Sequence, residues 1–284
     1  RTMATISTAR IRHALERAEE AMPYKDALTR MLANVAGAAG DDTHPLLMEH
    51  SRMLKVLFIL IASDRGLAGS FNGIPERQVE HEMAELEAKG IASEVITCGR
   101  KPSEYFAFHG ITPAMTFIGI SSEPTQDEAD RIATFVMDGY IAGDFDLVKI
   151  YYWHAKSRVD QTYVAEQLLP ISRSDLMMPN KPRSREALGE IEHVLETEFE
   201  FDPSATEVLG YLIPAYVRTV VYHALLDSAA AEHGARRRAM QSATDNGEEA
   251  LEVLSRTYNR VRQGSITAEL NEIIGGASAL EENA

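Results

Sequence analysis

The segment SDRGLAGSFNG, Ser63 to Gly73, is where residue types and spacing come nearest to chemistry, because it follows a continuous apolar run and precedes a helical pattern. Open α/β folds hold phosphates at such a place, on backbone N–H groups at a helix start. Its glycines, Gly66, Gly69 and Gly73, fit neither the dinucleotide fingerprint nor the phosphate loop with its Lys and Ser or Thr, so a structural turn is expected. His81, His109 and His154 lack Cys, His or Asp at metal-ligand spacing and read as surface or packed histidines. The GxSxG nucleophile motif is absent. Glu269 and Glu272 stand about one turn apart on a helical stretch and read as ordinary helix carboxylates. No catalytic, cofactor-binding or metal-ligating residue is expected.

Composition narrows the partners. The 284 residues are 45% hydrophobic, enough for a sizeable core, and carry a formal charge of −15. That charge argues against nucleic acid, whose phosphates are bound by excess Lys and Arg. It is unevenly spread: Arg1, Arg10, Arg12 and Arg17 lie near the start, and Arg236, Arg237, Arg238, Arg256, Arg260 and Arg262 lie in the last third. Two basic ends on an acidic body suit an acidic partner, although solvated helix faces would read alike. The longest apolar run, Val56 to Ala62, is far shorter than the roughly 20 residues of a membrane span, so no crossing is expected. Cys98 is the single cysteine and sits in an apolar stretch, as in a reducing compartment. Arg1 already falls in helical sequence, so further residues are expected before it.

Residues 1 to about 38 read as a helix with a narrow seam at Ala4, Ser7, Ile11, Leu15, Ala18 and Met22, which Pro23 should kink or divide between partners. Gly37 to Pro45 reads as a loop. From Leu54 to Ile171, short apolar runs alternate with amphipathic stretches. Strands are expected at Leu54–Ile61, Ser93–Thr97, Leu147–Trp153 and Tyr163–Ile171, and helices at Gln78–Lys89, Pro102–Phe108 and Asp127–Ile141, giving a largely parallel sheet. Between Ser184 and Asp202 one Arg faces seven acids, the composition of a solvated connector. No proline follows Pro214, and Val217 to Leu280 reads as one helix, roughly 95 Å long at about 1.5 Å per residue. A compact globule of this size is only about 50 Å across.

Met240, Ala243, Gly247, Leu251, Leu254, Tyr258 and Val261 advance at a coiled-coil period, continued by Ile266, Leu270, Ile273, Ala277 and Leu280 after a slip. The fold class is α/β: an antiparallel two-helix coiled coil formed by the N- and C-terminal helices plus a Rossmann-like α/β domain. Small seam residues, Ala4, Ser7, Ala243 and Gly247, would let the backbones approach. A break at Gly234, Gly247 or Gly264, folding the helix back as a bundle, is the alternative. The expected division is 1–50 for the first helix, 51–175 for the α/β domain, 176–206 for the acidic connector and 207–284 for the last helix.

The stretch TYNRVRQGSITAELNEIIGGASA, Thr257 to Ala279, resembles the signature of γ subunits of rotary, F-type ATP synthases, filled here by Ile266, Thr267, Glu269, Glu272, Gly276, Ala277 and Ala279. ATDN at Ala243 to Asn246, SDRGLAGSFN at Ser63 to Asn72 and RTMATISTARIR at Arg1 to Arg12 resemble family blocks in the family's order. Ala4 and Thr5 depart from the usual Glu and Met, and the Cys pair of the redox-regulated chloroplast form is missing. The resemblance implies a non-catalytic central shaft at the cytoplasmic face of a bacterial plasma membrane, peripheral to it. It implies contacts with the α and β subunits of the catalytic head, with ε and with the membrane c-ring, and no cofactor. It also implies that Met3, Arg262 and Gln263 meet the head, the last two as a polar catch on a β-subunit loop, and that Phe199, Glu200 and Asp202 form a foot on the ring. The other reading is a Rossmann-like nucleotide-binding enzyme with a coiled-coil dimerisation arm.

Overall fold

The structure is a computed structural model that describes residues 2–38, 44–157, 159–172, 201–202 and 204–281, the side chains of 36–38 and 275–281 excepted. Helix α1 spans Thr2–Ala38. There follow β1 (Lys55–Ile61), α2 (Gly73–Ala88), β2 (Ala92–Cys98), α3 (Arg100–Phe108), β3 (Met115–Phe117), α4 (Gln126–Ala142), β4 (Leu147–Ala155) and β5 (Gln161–Leu169). One long helix, α5, spans Ala205–Glu281.

The sheet runs β3-β2-β1-β4-β5. β1 pairs parallel with β2 and β4, and β5 closes the edge antiparallel to β4. The continuous apolar run in β1 is explained by its central place: Val56 to Ile61 are all buried, since both sheet faces are covered. Val56, Phe58 and Leu60 meet Val79 and Met83 of α2 and Phe106 of α3 on one face. Leu57, Ile59 and Ile61 meet Ile132, Val136 and Tyr140 of α4 and Val217 and Val221 of α5 on the other. Helix α4 starts at a capping box in which the Thr125 hydroxyl accepts from Glu128 N–H, and it stops at Gly143, whose φ of 80° is a left-handed position.

Helix α1 passes through Pro23 without interruption. The proline marks a change of partner. Before it, Ala14 packs with Ala68, Phe71, Ala230 and Ala231; after it, Leu32 and Val35 enter the main core with Leu46. Helix α5 starts earlier than the expected Val217, because Leu209 and Ile213 are already buried, and it runs through Pro214. It also runs through Gly234, Gly247 and Gly264, so the folded-back bundle is not formed. At 77 residues it is about 115 Å long. By length and hydropathy it contains a stretch apolar enough to cross a bilayer, against the expectation from apolar runs, but more than half of that stretch lies inside the fold. Between Val217 and Arg236 it is buried almost all round, by α1, α4 and the sheet.

Among the described residues α1 and α5 form an antiparallel rod. Ala4 and Thr8 line a cleft with Gln241, Thr244 and Glu248, the far end of the pairing. Ser7 is buried and Ala4 half-buried, as the seam requires, but Ala243 is exposed and nothing lies within 4 Å of where a Cβ on Gly247 would stand. Leu251, Leu254, Tyr258 and Val261 are 68%, 64%, 65% and 62% exposed. The heptad period is real, yet past Glu248 the described part of α1 has no turn left to cover it.

Candidate functional site

Strand order reverses between β1 and β4, which places a crevice at the C-terminal end of β1 where open α/β sheets take ligands. Here the chain turns across it, leaving a cleft of about 270 Å³ among Ala68, Phe71, Trp153 and Arg238. The Ser63 N–H donates to Asn72 Oδ1 at 3.0 Å and the Ser63 hydroxyl to the Arg65 carbonyl at 2.5 Å, fixing the turn from within. Asn72 therefore does not cap α2. The first turn of α2 carries Glu76 instead, 6% exposed, its carboxyl pushed up to about 7 by burial against the pull of Arg77 and Lys101. A buried acid at a helix start stands where a phosphate would need N–H donors. Ala68 and Phe71 are packed under Ala230 and Ala231 of α5. Phe71 stacks on Trp153 at 5.9 Å, and the indole N–H donates to the Phe71 carbonyl at 2.9 Å. Backbone approaches backbone at Gly99, φ 118°, where a Cβ would stand 2.7 Å from the Ala62 carbonyl oxygen. The glycine-containing segment is a structural turn, as its spacing implied.

Asp64 ties the strand ends together. Its carboxylate accepts from the N–H groups of Arg100 at 2.9 Å, Gly119 at 2.9 Å and Ser121 at 3.1 Å. Burial would raise its pKa, but these bonds outweigh it and hold the group below the usual carboxylate range. Helix α5 is fastened by buried charges that local sequence did not announce. His154 of β4 lies 2.5 Å from the Asp227 carboxylate, and His223 lies 3.4 Å from the same oxygen. Burial pushes the Asp227 carboxyl up, but its contacts with His154 and His223 hold it below its ordinary value. One turn on, Glu232 and Arg236 pair at 2.6 Å, both under a tenth exposed, and Arg236 also donates to the Arg65 carbonyl. Breaking such a buried pair from one side typically costs about 3–5 kcal/mol. These contacts make helix and domain one mechanical body. The only sequence signal for them was polar residues, Asp227, Glu232 and Arg236, inside an otherwise apolar and alanine-rich helical stretch.

The residues expected to meet partners are not brought together. Met3 is 44% exposed near the start of α1. Arg262 and Gln263 are exposed on α5, beyond the paired region by about 20 Å at the helical rise. Asp202 is exposed beside Phe201, which packs on the main core. Phe199 and Glu200, with most of the acidic connector, lie outside the described residues, as does part of the expected loop after α1. Among the described residues no group of three His, Cys, Asp or Glu side chains could hold a metal ion.

An α/β domain crossed at its strand ends by its own long, projecting helix has the architecture of a shaft-bearing protein. The family described as ATP synthase matches residues 1–280. The ATP synthase gamma chain of Pelotomaculum thermopropionicum is 38% identical over 281 residues, covering 99% of this chain and 93% of that protein. That of Chlorobaculum tepidum is 35% identical over 286 residues, covering 99% and 93%. The chain belongs to the ATP synthase gamma-chain family. Among solved structures, a chain of the Tetrahymena thermophila mitochondrial ATP synthase central stalk and c-ring has TM-score 0.63 at 21% identity, covering 86% of this chain and 98% of that one. A chain of the Euglena gracilis mitochondrial enzyme has TM-score 0.56 at 18% identity, covering 96% and 95%. At these identities the two structures bear on the fold.

Proposed function

We propose that this chain is the central rotor shaft of a proton-translocating ATP synthase, non-catalytic itself, coupling rotation of a membrane c-ring to ATP synthesis or hydrolysis in a head of α and β subunits. The observation that carries the reading is the projecting half of α5. From Asp245 to Ile274 every described side chain is exposed, and Leu251, Leu254, Tyr258, Val261, Ile266, Leu270 and Ile273 keep a regular apolar stripe along it. An exposed stripe of that size marks an interface. A hexameric sleeve of α and β subunits suits a projecting rod with such a stripe. Arg262 and Gln263 act there as a polar catch on a β-subunit loop, and Met3 meets the head where the two-helix rod begins. Phe199, Glu200 and Asp202 belong to a foot on the c-ring, beside ε, which places the chain at the cytoplasmic face of the bacterial plasma membrane as a peripheral subunit.

The test is direct. A bead is fixed to the α/β domain through an introduced cysteine near Phe108, 87% exposed, and the head complex purified with the chain is immobilised and given ATP. Unidirectional rotation of the bead, and recovery of α, β and ε with the chain from solubilised membranes, are expected. A stationary bead on an ATP-hydrolysing complex, or failure of α and β to accompany the chain, overturns the reading.

A further inference from the structure

A cleft of about 400 Å³ opens where α1, α4 and α5 meet, away from the projecting helix. Its lining includes Tyr24 of α1, Gln126 and Asp130 of α4, and Arg218, Tyr222 and His223 of α5. Two groups in it are unusual. His223 is 2% exposed, yet neither ring nitrogen reaches a hydrogen-bond partner among the described residues, its Nδ1 lying 3.4 Å from the Asp227 carboxylate. The Nε of Arg218 is likewise buried and unpartnered, although the end of its side chain reaches solvent. Asp130 comes only to 4.0 Å from that Nε, and its carboxylate accepts instead from the Gln126 amide at 3.1 Å. Buried donors left without acceptors are costly, so a fold that keeps two of them on one cleft is built for something that brings acceptors.

We propose that this cleft is a binding site for a small tetrahedral oxyanion of the phosphate class, held by Arg218 and by the ring N–H of His223. The planar guanidinium offers N–H groups suited to paired oxygens, and the imidazole N–H adds a point donor from the floor of the cleft. The tyrosines and the Gln126 amide supply neutral donors at the rim. His223 faces Asp227 on its own helix and, through that carboxylate, His154 of β4; Asp130 of α4 faces Arg218, and α1 contributes the neutral Tyr24. This site is independent of the rotor reading, and its failure would leave that reading intact.

The experiment uses the full chain with isotope-labelled histidine rings, titrated with sodium phosphate, sulfate or acetate and followed by NMR. The His223→Asn variant assigns the His223 signal. A saturable shift of that signal with phosphate and sulfate is expected, but not with acetate. Arg218→Gln weakens it at least about tenfold, while Arg218→Lys, which keeps the charge without the fork, loses less. Asp130→Asn, which removes the competing carboxylate, tightens binding severalfold. No saturable His223 shift in the folded chain overturns the proposal. So does equal affinity for acetate, or a titration indifferent to Arg218→Gln.

Discussion

Asp64 organises the C-terminal edge of the sheet with a single carboxylate, because three backbone N–H groups from two different loops converge on it. Asp64→Ala strands all three donors in a half-buried site and is expected to cost about 3 kcal/mol, read as a fall in urea midpoint at unchanged slope. Its folded pKa is depressed, so the contribution is complete above the unfolded value near 3.8 and is lost as pH falls through the lower folded value. The wild-type chain should thus lose stability on acidification below about pH 4 more steeply than Asp64→Ala, and equal acid limbs would refute the assignment. The sequence announced the turn but not this role: the donors lie 36 to 57 residues away, beyond any local pattern. The same distance hid His154 and Asp227, 73 residues apart.

At the level of the elements, most helices and strands were legible from periodicity, and the departures have physical causes. β3 is three residues long and has no alternation to read. Pro23 and Pro214 lie inside helices because packing on both sides outweighs the lost backbone bond. The far seam is legible as an apolar face, but a heptad period does not say which chain covers it. Close packing of elements also yields a test. A Cβ on Gly139 of α4 would stand 2.5 Å from the Phe145 ring, so Gly139→Ala is expected to destabilise by about 2 kcal/mol despite alanine's better helix propensity. A raised melting temperature would show that the ring yields freely. Leu254→Pro acts where no intrachain packing exists, 64% exposed. It should leave thermal unfolding of the α/β domain unchanged yet abolish coupling in the assembled complex, since an interior proline bends the helix at a cost of about 3 kcal/mol. Wild-type ATP synthesis by this variant would mean that residue 254 lies outside the working shaft.

Across the whole molecule, the two basic ends noticed in the sequence meet in space: α1 runs antiparallel to α5, so Thr5 and Thr8 share a cleft with Arg237 and Arg238. The acidic connector occupies another part of the chain, and this polarity suits a rod gripped by acidic partners at its upper half. Replacing Arg262 and Gln263 together by Ala removes the proposed catch, including a charge-assisted contact of about 1.5–3 kcal/mol. ATP hydrolysis and synthesis by reconstituted complexes should fall while assembly persists. Unchanged rates would release both residues from that role. Helix α5 is held to the sheet by His154 on Asp227 and to the turn after β1 by Arg236 on the Arg65 carbonyl, with α1 packed along the same stretch. Two anchors about 14 Å apart on one axis resist a couple that a single anchor would not, so a twist applied to α5 reaches the sheet as rotation of one body and not as a swivel about a point.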